Sequence, residues 1–110
     1  ALTPSHPIEV DDAGFDALVQ NAKVPVLLDI WSPTCGPCLQ VAPDVSRMAQ
    51  VRSGQLIVVK IDVSKHQGVA SRLGVQGVPT FAVFRNGKAE RTQAGALRFD
   101  HLDAFVQPYL

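Results

Sequence analysis

Residues Val24 to Ile30 form an apolar run broken chemically only by Asp29. A run without polar alternation reads as a central strand buried on both faces. Such a strand needs layers on either side of its sheet, and the flanking segments supply them. Upstream, Ile8 to Val10 reads as a short strand. Asp11 or Asp12 then caps a helix whose apolar residues Phe15, Leu18, Val19 and Ala22 follow helical spacing. Downstream, Val41, Ala42, Val45, Met48, Ala49 and Arg52 keep that spacing in a helix that starts at Cys35 and ends at Ser53-Gly54. Pro43 inside it predicts a kink, because proline removes an N–H and clashes with the preceding turn. Leu56 to Val63 is the next strand, Gln67 to Leu73 a short helix stopped by Gly74, and Thr80 to Phe84 a further strand. Asn86-Gly87 makes a tight hairpin turn to Lys88–Gln93. Phe99, Leu102, Val106 and Tyr109 mark a last amphipathic helix. The order β-α-β-α-β-α-β-β-α predicts an α/β fold: a central mixed β-sheet flanked by helices on both faces.

The chain has 110 residues, the size of one domain. We assign residues 1–7, with Pro4 and Pro7, to an N-terminal tail and residues 8–110 to the domain. Lys plus Arg equals Asp plus Glu at 10 each, so bulk charge recruits neither nucleic acid nor an anionic membrane. No apolar run approaches the roughly 20 residues of a membrane helix. Ala1 to Pro7 lacks the basic start and apolar stretch of a leader, and the first residue is not Met, which implies processing upstream.

Cys35 and Cys38 are the only cysteines, two residues apart, between the apolar strand and a helix. That context points to a redox pair. A thiolate at a helix N-terminus is stabilised by unpaired backbone N–H groups and the helix dipole, and the thiolate is the reactive form. Cys35, nearer the helix start, is the more exposed and acidic thiol; Cys38, one turn in, is the resolving thiol. Pro37 costs little in a first turn and constrains the two sulfurs. A bond between them closes so short a loop that chain entropy gives about 2 kcal/mol, which suits reactivity better than stability. A zinc site would need about four ligands, and His6, His66 and His101 are scattered without ligand spacing to the cysteines. No metal is called.

Asp29 has two readings. It faces water at a strand edge or sits in a structural hydrogen bond; or it is buried, its pKa raised towards neutrality, and moves protons. Lys60 on the next strand is its candidate neighbour. Val78-Pro79, before the strand at Thr80, is an ordinary trans turn on base rates, or a cis-proline that sets the Val78 backbone at the active surface. Trp31, the single Trp, is on its own as readily core as surface; next to the cysteine motif it buttresses the loop. Gly95 is a turn glycine or a place where a substrate chain passes close to backbone.

Asp29-Ile30-Trp31 leading into Cys35-Gly36-Pro37-Cys38, then Pro43, Lys60, Gly77-Val78-Pro79-Thr80, Phe84-Arg85-Asn86-Gly87 and Gly95-Ala96 closely resemble a bacterial thioredoxin. The resemblance runs in order and spacing from about Ile8 to Leu110. It implies a thioredoxin fold and a protein disulfide reductase. Cys35 would attack a client disulfide and Cys38 resolve the mixed disulfide. The acid matching Asp29 would assist proton transfer at Cys38, with Lys60 nearby. The proline matching Pro79 would be cis, and Val78 would pair main chain to main chain with substrate. The client surface would map to Trp31, Thr34, Gly36, Pro37, Gly77, Val78, Pro79, Gly95 and Ala96. Oxidised protein would be recycled by a separate NADPH-dependent thioredoxin reductase-like flavoprotein, with no cofactor bound to this chain and with disulfide-containing proteins as clients of a monomer. Two positions depart from the pattern: Thr34 stands where the family usually has Trp, and Leu39 where a basic residue commonly follows the second Cys. Both flank the reactive thiol and bear on partner range.

Two other classes compete. One is a periplasmic thiol oxidase or isomerase of the same fold, and the other a binding module with incidental thiols. Gly36-Pro37 favours the reducing branch, since a cation between the cysteines would make the disulfide more oxidising. The intact pair, Asp29 and Val78-Pro79 argue against the binding module. The reducing motif and the absence of a visible leader place the expected location in the cytoplasm, in cell redox homeostasis and electron transport.

Overall fold

The computed structural model describes residues 4–110, so part of the tail assigned to residues 1–7 lies outside the described residues. The elements are β1 (Ile8–Glu9), α1 (Asp12–Asn21), β2 (Val26–Trp31), α2 (Gly36–Val51), β3 (Ile57–Asp62), α3 (Gly68–Arg72), β4 (Thr80–Arg85), β5 (Lys88–Ala94), α4 (Phe99–Val106) and a closing 3-10 turn (Gln107–Tyr109). They form a mixed five-stranded sheet in the order β1-β3-β2-β4-β5. β3 is parallel to both β1 and β2, whereas β4 runs antiparallel to β2 and β5.

β2 lies at the centre, and strand alternation divides its side chains between two cores. Val26, Leu28 and Ile30 join Phe15 and Val19 of α1 and Val69 and Ala70 of α3. Leu27 joins Val41, Val45 and Met48 of α2 and Leu102, Phe105 and Val106 of α4. The absence of polar alternation in β2 therefore reflects burial under helices on both faces, as anticipated from its composition. Each fully buried Val, Leu or Met contributes about 1.5–3 kcal/mol.

Several boundaries differ from the sequence reading, for local reasons. β2 starts at Val26 because Pro25 has no N–H to give the ladder. α2 continues past Pro43 to Val51 as one helical segment. The ring costs the helix one hydrogen bond, on a residue whose own side chain is exposed. The final helix ends at Val106 and tightens into a 3-10 turn around Pro108. Asn86 (φ 55°) and Gly87 (φ 77°) both take the left-handed conformation that a two-residue hairpin turn demands.

The two sheet edges differ. β1 has only two residues, whereas β5 has seven, almost all exposed and including Lys88, Glu90 and Arg91. A register shift between Val83 and Phe84 interrupts the β4–β5 ladder.

Asp12, at the start of α1, supplies what the short α3 lacks in its own N-cap. Its carboxylate accepts hydrogen bonds from the backbone N–H groups of Gly68 (3.0 Å) and Val69 (2.9 Å). The Val69 bond is the main cause of a carboxyl held below its ordinary value of 3.8. α3 leads into the loop that carries Val78-Pro79, so this contact anchors one side of the site. Replacing Asp12 with Ala should cost about 1 kcal/mol at neutral pH, the usual worth of a helix cap. A depressed folded-state pKa stabilises above the unfolded value and loses that contribution as pH falls through the folded value. The difference from wild type in urea unfolding should therefore shrink below about 3.8.

Candidate active site

Four chain segments converge at one end of the sheet. β2 ends at Trp31, beside the end of its parallel neighbour β3 at Asp62. β4 runs the opposite way, so its first residue, Thr80, pairs with Ile30 near the same end. The last residue of β5, Ala94, pairs in turn with Thr80. The residues just beyond these strand ends are Cys35–Cys38, Gly77–Pro79 and Gly95–Ala96. The sheet register thus assembles segments about sixty positions apart in sequence.

The cysteines form a disulfide with 5.2 Å between their Cα atoms. Cys35 is the N-cap of α2, and its Sγ accepts a hydrogen bond from the Cys38 backbone N–H at 3.1 Å. The same N–H faces the thiolate once the bond is reduced, which together with the helix dipole favours the charged sulfur. Cys35 is partly exposed, while Cys38 is 3% exposed and joined to the helix body. The loop before them is held by the Cys35 N–H donating to the Ser32 carbonyl at 3.2 Å and by the Ser32–Thr34 hydroxyl pair at 3.2 Å. Thr34, Gly36 and Pro37 are exposed around the pair.

Asp29 is 2% exposed, so the edge reading gives way to the buried one. It lies on the sheet face shared with Leu27 and covered by α2, the helix that carries Cys38. A cross-strand row runs from Glu9 to Lys60 to Asp29 to Phe81. The Asp29 Oδ1 has no hydrogen-bond partner, which removes the structural-bond reading for that atom. Burial pushes its pKa up to about 7; the Lys60 ammonium pulls it down and the Glu9 carboxylate adds to the rise. Lys60 places its Nζ 4.4 Å from the centre of the Trp31 ring. Trp31 is partly buried, and its Nε1 is enclosed without a partner.

On the other side, the Val78–Pro79 peptide is cis. Pro79 is buried, and the Val78 side chain packs towards the α1/α3 core. Thr80 Oγ1 donates to the Gly77 carbonyl at 2.7 Å, and the Gly95 N–H donates to the Pro79 carbonyl at 2.9 Å, tying the two loops together. The main-chain N–H and C=O of Val78 take no partner among the described residues. Gly95 has φ +104°, a conformation that itself calls for glycine. Gly36 and Gly77 have no such φ, and a Cβ on either would meet nothing within 4 Å.

Two residues escaped the sequence reading. Asp62, buried at the end of β3, accepts from the Ser64 N–H at 2.9 Å and the Ser64 hydroxyl at 2.6 Å. Its Asp-x-Ser spacing is the signal of such a turn. Ser32, buried behind Thr34, carried no separable signal. Among the described residues no group of three or more His, Cys, Asp or Glu gathers to hold a metal, and no helix is long and apolar enough to cross a membrane.

The thioredoxin family model matches residues 6–108. The chain is 35% identical to a thioredoxin of Haemophilus influenzae over 106 residues, covering 96% of this chain and 99% of that one. It is 39% identical to a thioredoxin of Pseudomonas aeruginosa over 101 residues, covering 92% and 94%. A solved mutant thioredoxin from Halobacterium salinarum superposes with a TM-score of 0.89 at 31% identity, covering 97% of this chain and 93% of that chain.

The Asp29 environment predicts a pH signature. A carboxyl whose folded-state pKa exceeds its unfolded value binds protons on folding. Stability therefore falls as pH rises from about 3.8 to about 7, and remains lowered above. Asp29→Asn cannot ionise and should escape that penalty. In urea unfolding of the oxidised protein, its advantage over wild type should grow across this window to on the order of 4 kcal/mol at most. A constant difference at every pH would place the Asp29 carboxyl outside the titration.

Proposed function

The chain belongs to the thioredoxin family, and from that premise we propose how its residues divide the work of a protein-disulfide oxidoreductase acting by dithiol–disulfide exchange. The Cys35 thiolate attacks one sulfur of a client disulfide. A Cys35–client bond forms, and the other client sulfur leaves as a thiolate that takes up a proton. The Cys38 thiolate then attacks the Cys35 sulfur, closes the Cys35–Cys38 disulfide and expels the second client thiol. Two electrons pass to the client, and the protein ends oxidised. The observation that carries this assignment is the asymmetry of the pair: an accessible N-cap sulfur facing a backbone N–H, followed by a buried sulfur one turn inside.

Asp29 is the proton acceptor for Cys38 when the resolving step begins. Its buried carboxyl near neutrality and its place under α2 support that role, and Lys60 tunes it by charge. Val78 offers its free main-chain N–H and C=O to an extended client segment, as a sheet edge would. Gly36 and Gly77 support such a groove, because neither backbone conformation nor internal packing calls for glycine there. Close approach of a client does. Trp31, Thr34, Pro37, Pro79, Gly95 and Ala96 complete the contact surface. Residues 8–110 act as the working domain, as a monomer. A separate NADPH-dependent flavoprotein returns the electrons, and the setting is the reducing cytoplasm, where the Gly36-Pro37 pair suits a reductase.

Cys38→Ser should accumulate mixed disulfides with client proteins, and Cys35→Ser should not; alkylation of the reduced protein near neutral pH should label Cys35 first. Preferential labelling of Cys38 would reverse the assignment. Insulin reduction with dithiothreitol as electron donor should be lost in both serine variants. In Asp29→Asn it should slow by about tenfold, less than a directly bonded acid–base group contributes.

A further inference from the structure

Leu39 is 52% exposed, one of three large apolar side chains so placed among the described residues. The other two, Val51 and Leu110, lie at the far end of α2 and at the C-terminus. Leu39 is four residues beyond Cys35, in the opening turns of the helix that Cys35 caps. Its backbone N–H donates to the Cys35 carbonyl at 3.1 Å, so the helix itself fixes the two residues relative to each other. The side chain belongs to neither core cluster, and nothing in the fold calls for an apolar group there.

The first turns of α2 carry no charged side chain. From Gly36 to Pro43 the α2 sequence has no ionisable residue apart from the active cysteine. The next two charges on the helix are engaged: Asp44 by Arg98, and Arg47 by the Phe99 ring at 4.0 Å. Across the cysteines, Gly77, Val78, Gly95 and Ala96 are also uncharged. A depression of about 550 Å³ beside Trp31 and Pro33 carries charge of both signs, from Glu9, Asp11, Asp62 and Lys65.

We propose that Leu39 determines specificity within the disulfide exchange. It packs against an apolar side chain beside the attacked half-cystine of a client polypeptide, so clients with apolar flanks are reduced faster than those with acidic flanks. The proposal rests on the reading of Cys35 as the attacking thiol. The occupant is the client chain, because a mixed disulfide on Cys35 places the client's neighbouring residues over the first turns of α2. An apolar contact gains by leaving water and is not screened by ions, so its contribution is independent of salt.

The test uses three synthetic peptides with one internal disulfide each, differing only in Leu, Ala or Glu next to the attacked cysteine, and a small symmetrical disulfide as reference. Wild type should reduce the Leu peptide about fivefold faster than the Glu peptide, the gain from partly removing one apolar side chain from water. The ratio of the Leu peptide to the uncharged Ala peptide should be the same at low and high ionic strength. Leu39→Ser should level the peptides while reducing the small disulfide at the wild-type rate. Leu39→Lys should reverse the preference, and added salt should weaken the reversal. Equal peptide rates in wild type, or an unchanged preference in Leu39→Ser, overturn the role of Leu39 while reduction of the small disulfide leaves the reductase reading standing. Failure of wild type to reduce any of the four disulfides overturns both.

Discussion

Everything at the active end of this molecule follows from the ladder on both sides of β2. One flank is fixed by a parallel partner and the other by an antiparallel one. A crossover helix must follow β2 to reach its parallel neighbour, so α2 has to begin at the end of β2. The antiparallel neighbour must start where β2 stops, so Pro79 arrives at that same end. Slipping either register by one residue would turn Asp29 and Leu27 from one core to the other and remove the carboxyl from beneath α2. Hydrophobic burial on two faces enforces the register, and the chemistry inherits it.

Electrostatics then acts within that frame. A carboxylate in a dry strand is costly, and its neutral form is the cheaper occupant until the pH approaches neutrality. Lys60 moderates the cost without forming a direct ion pair with Asp29, since its ammonium rests over the Trp31 ring. The result is a group that changes charge in the range where a thiol must lose its proton. A tight Asp29–Lys60 pair would have favoured the carboxylate and kept the pKa of Asp29 low.

The order of elements along the chain, the helix faces and the cysteine pair were legible in the sequence because each rests on local pattern: an unalternated apolar run, helical spacing, Asn86-Gly87. The convergence of Gly95 with Pro79 was legible only through family resemblance, since a hydrogen bond between loops leaves no periodic trace. Asp29 was visible as an anomaly, but its two readings separated only when burial and the unpartnered Oδ1 were known. The cap of α1 was legible as one of two aspartates, but the Asp12 bridge to α3 was not. Asp11 caps α1 and Asp12 caps a helix fifty-six residues away. Sequence reasoning along one helix has no means to assign a carboxylate to another.

The two edges of the sheet bear on what such a molecule does after it has bound. β1 is too short to template a partner strand, and β5 presents charges of both signs along a ladder already broken by a bulge. An extended polypeptide therefore finds little purchase along either margin and cannot be zipped into the sheet residue by residue. Under the proposed assignment, client contact would be confined to a few loop positions around one sulfur. A grip of that size would let go once the covalent tether is cut, and the same two edges offer neighbouring copies no long, flat margin on which to pair.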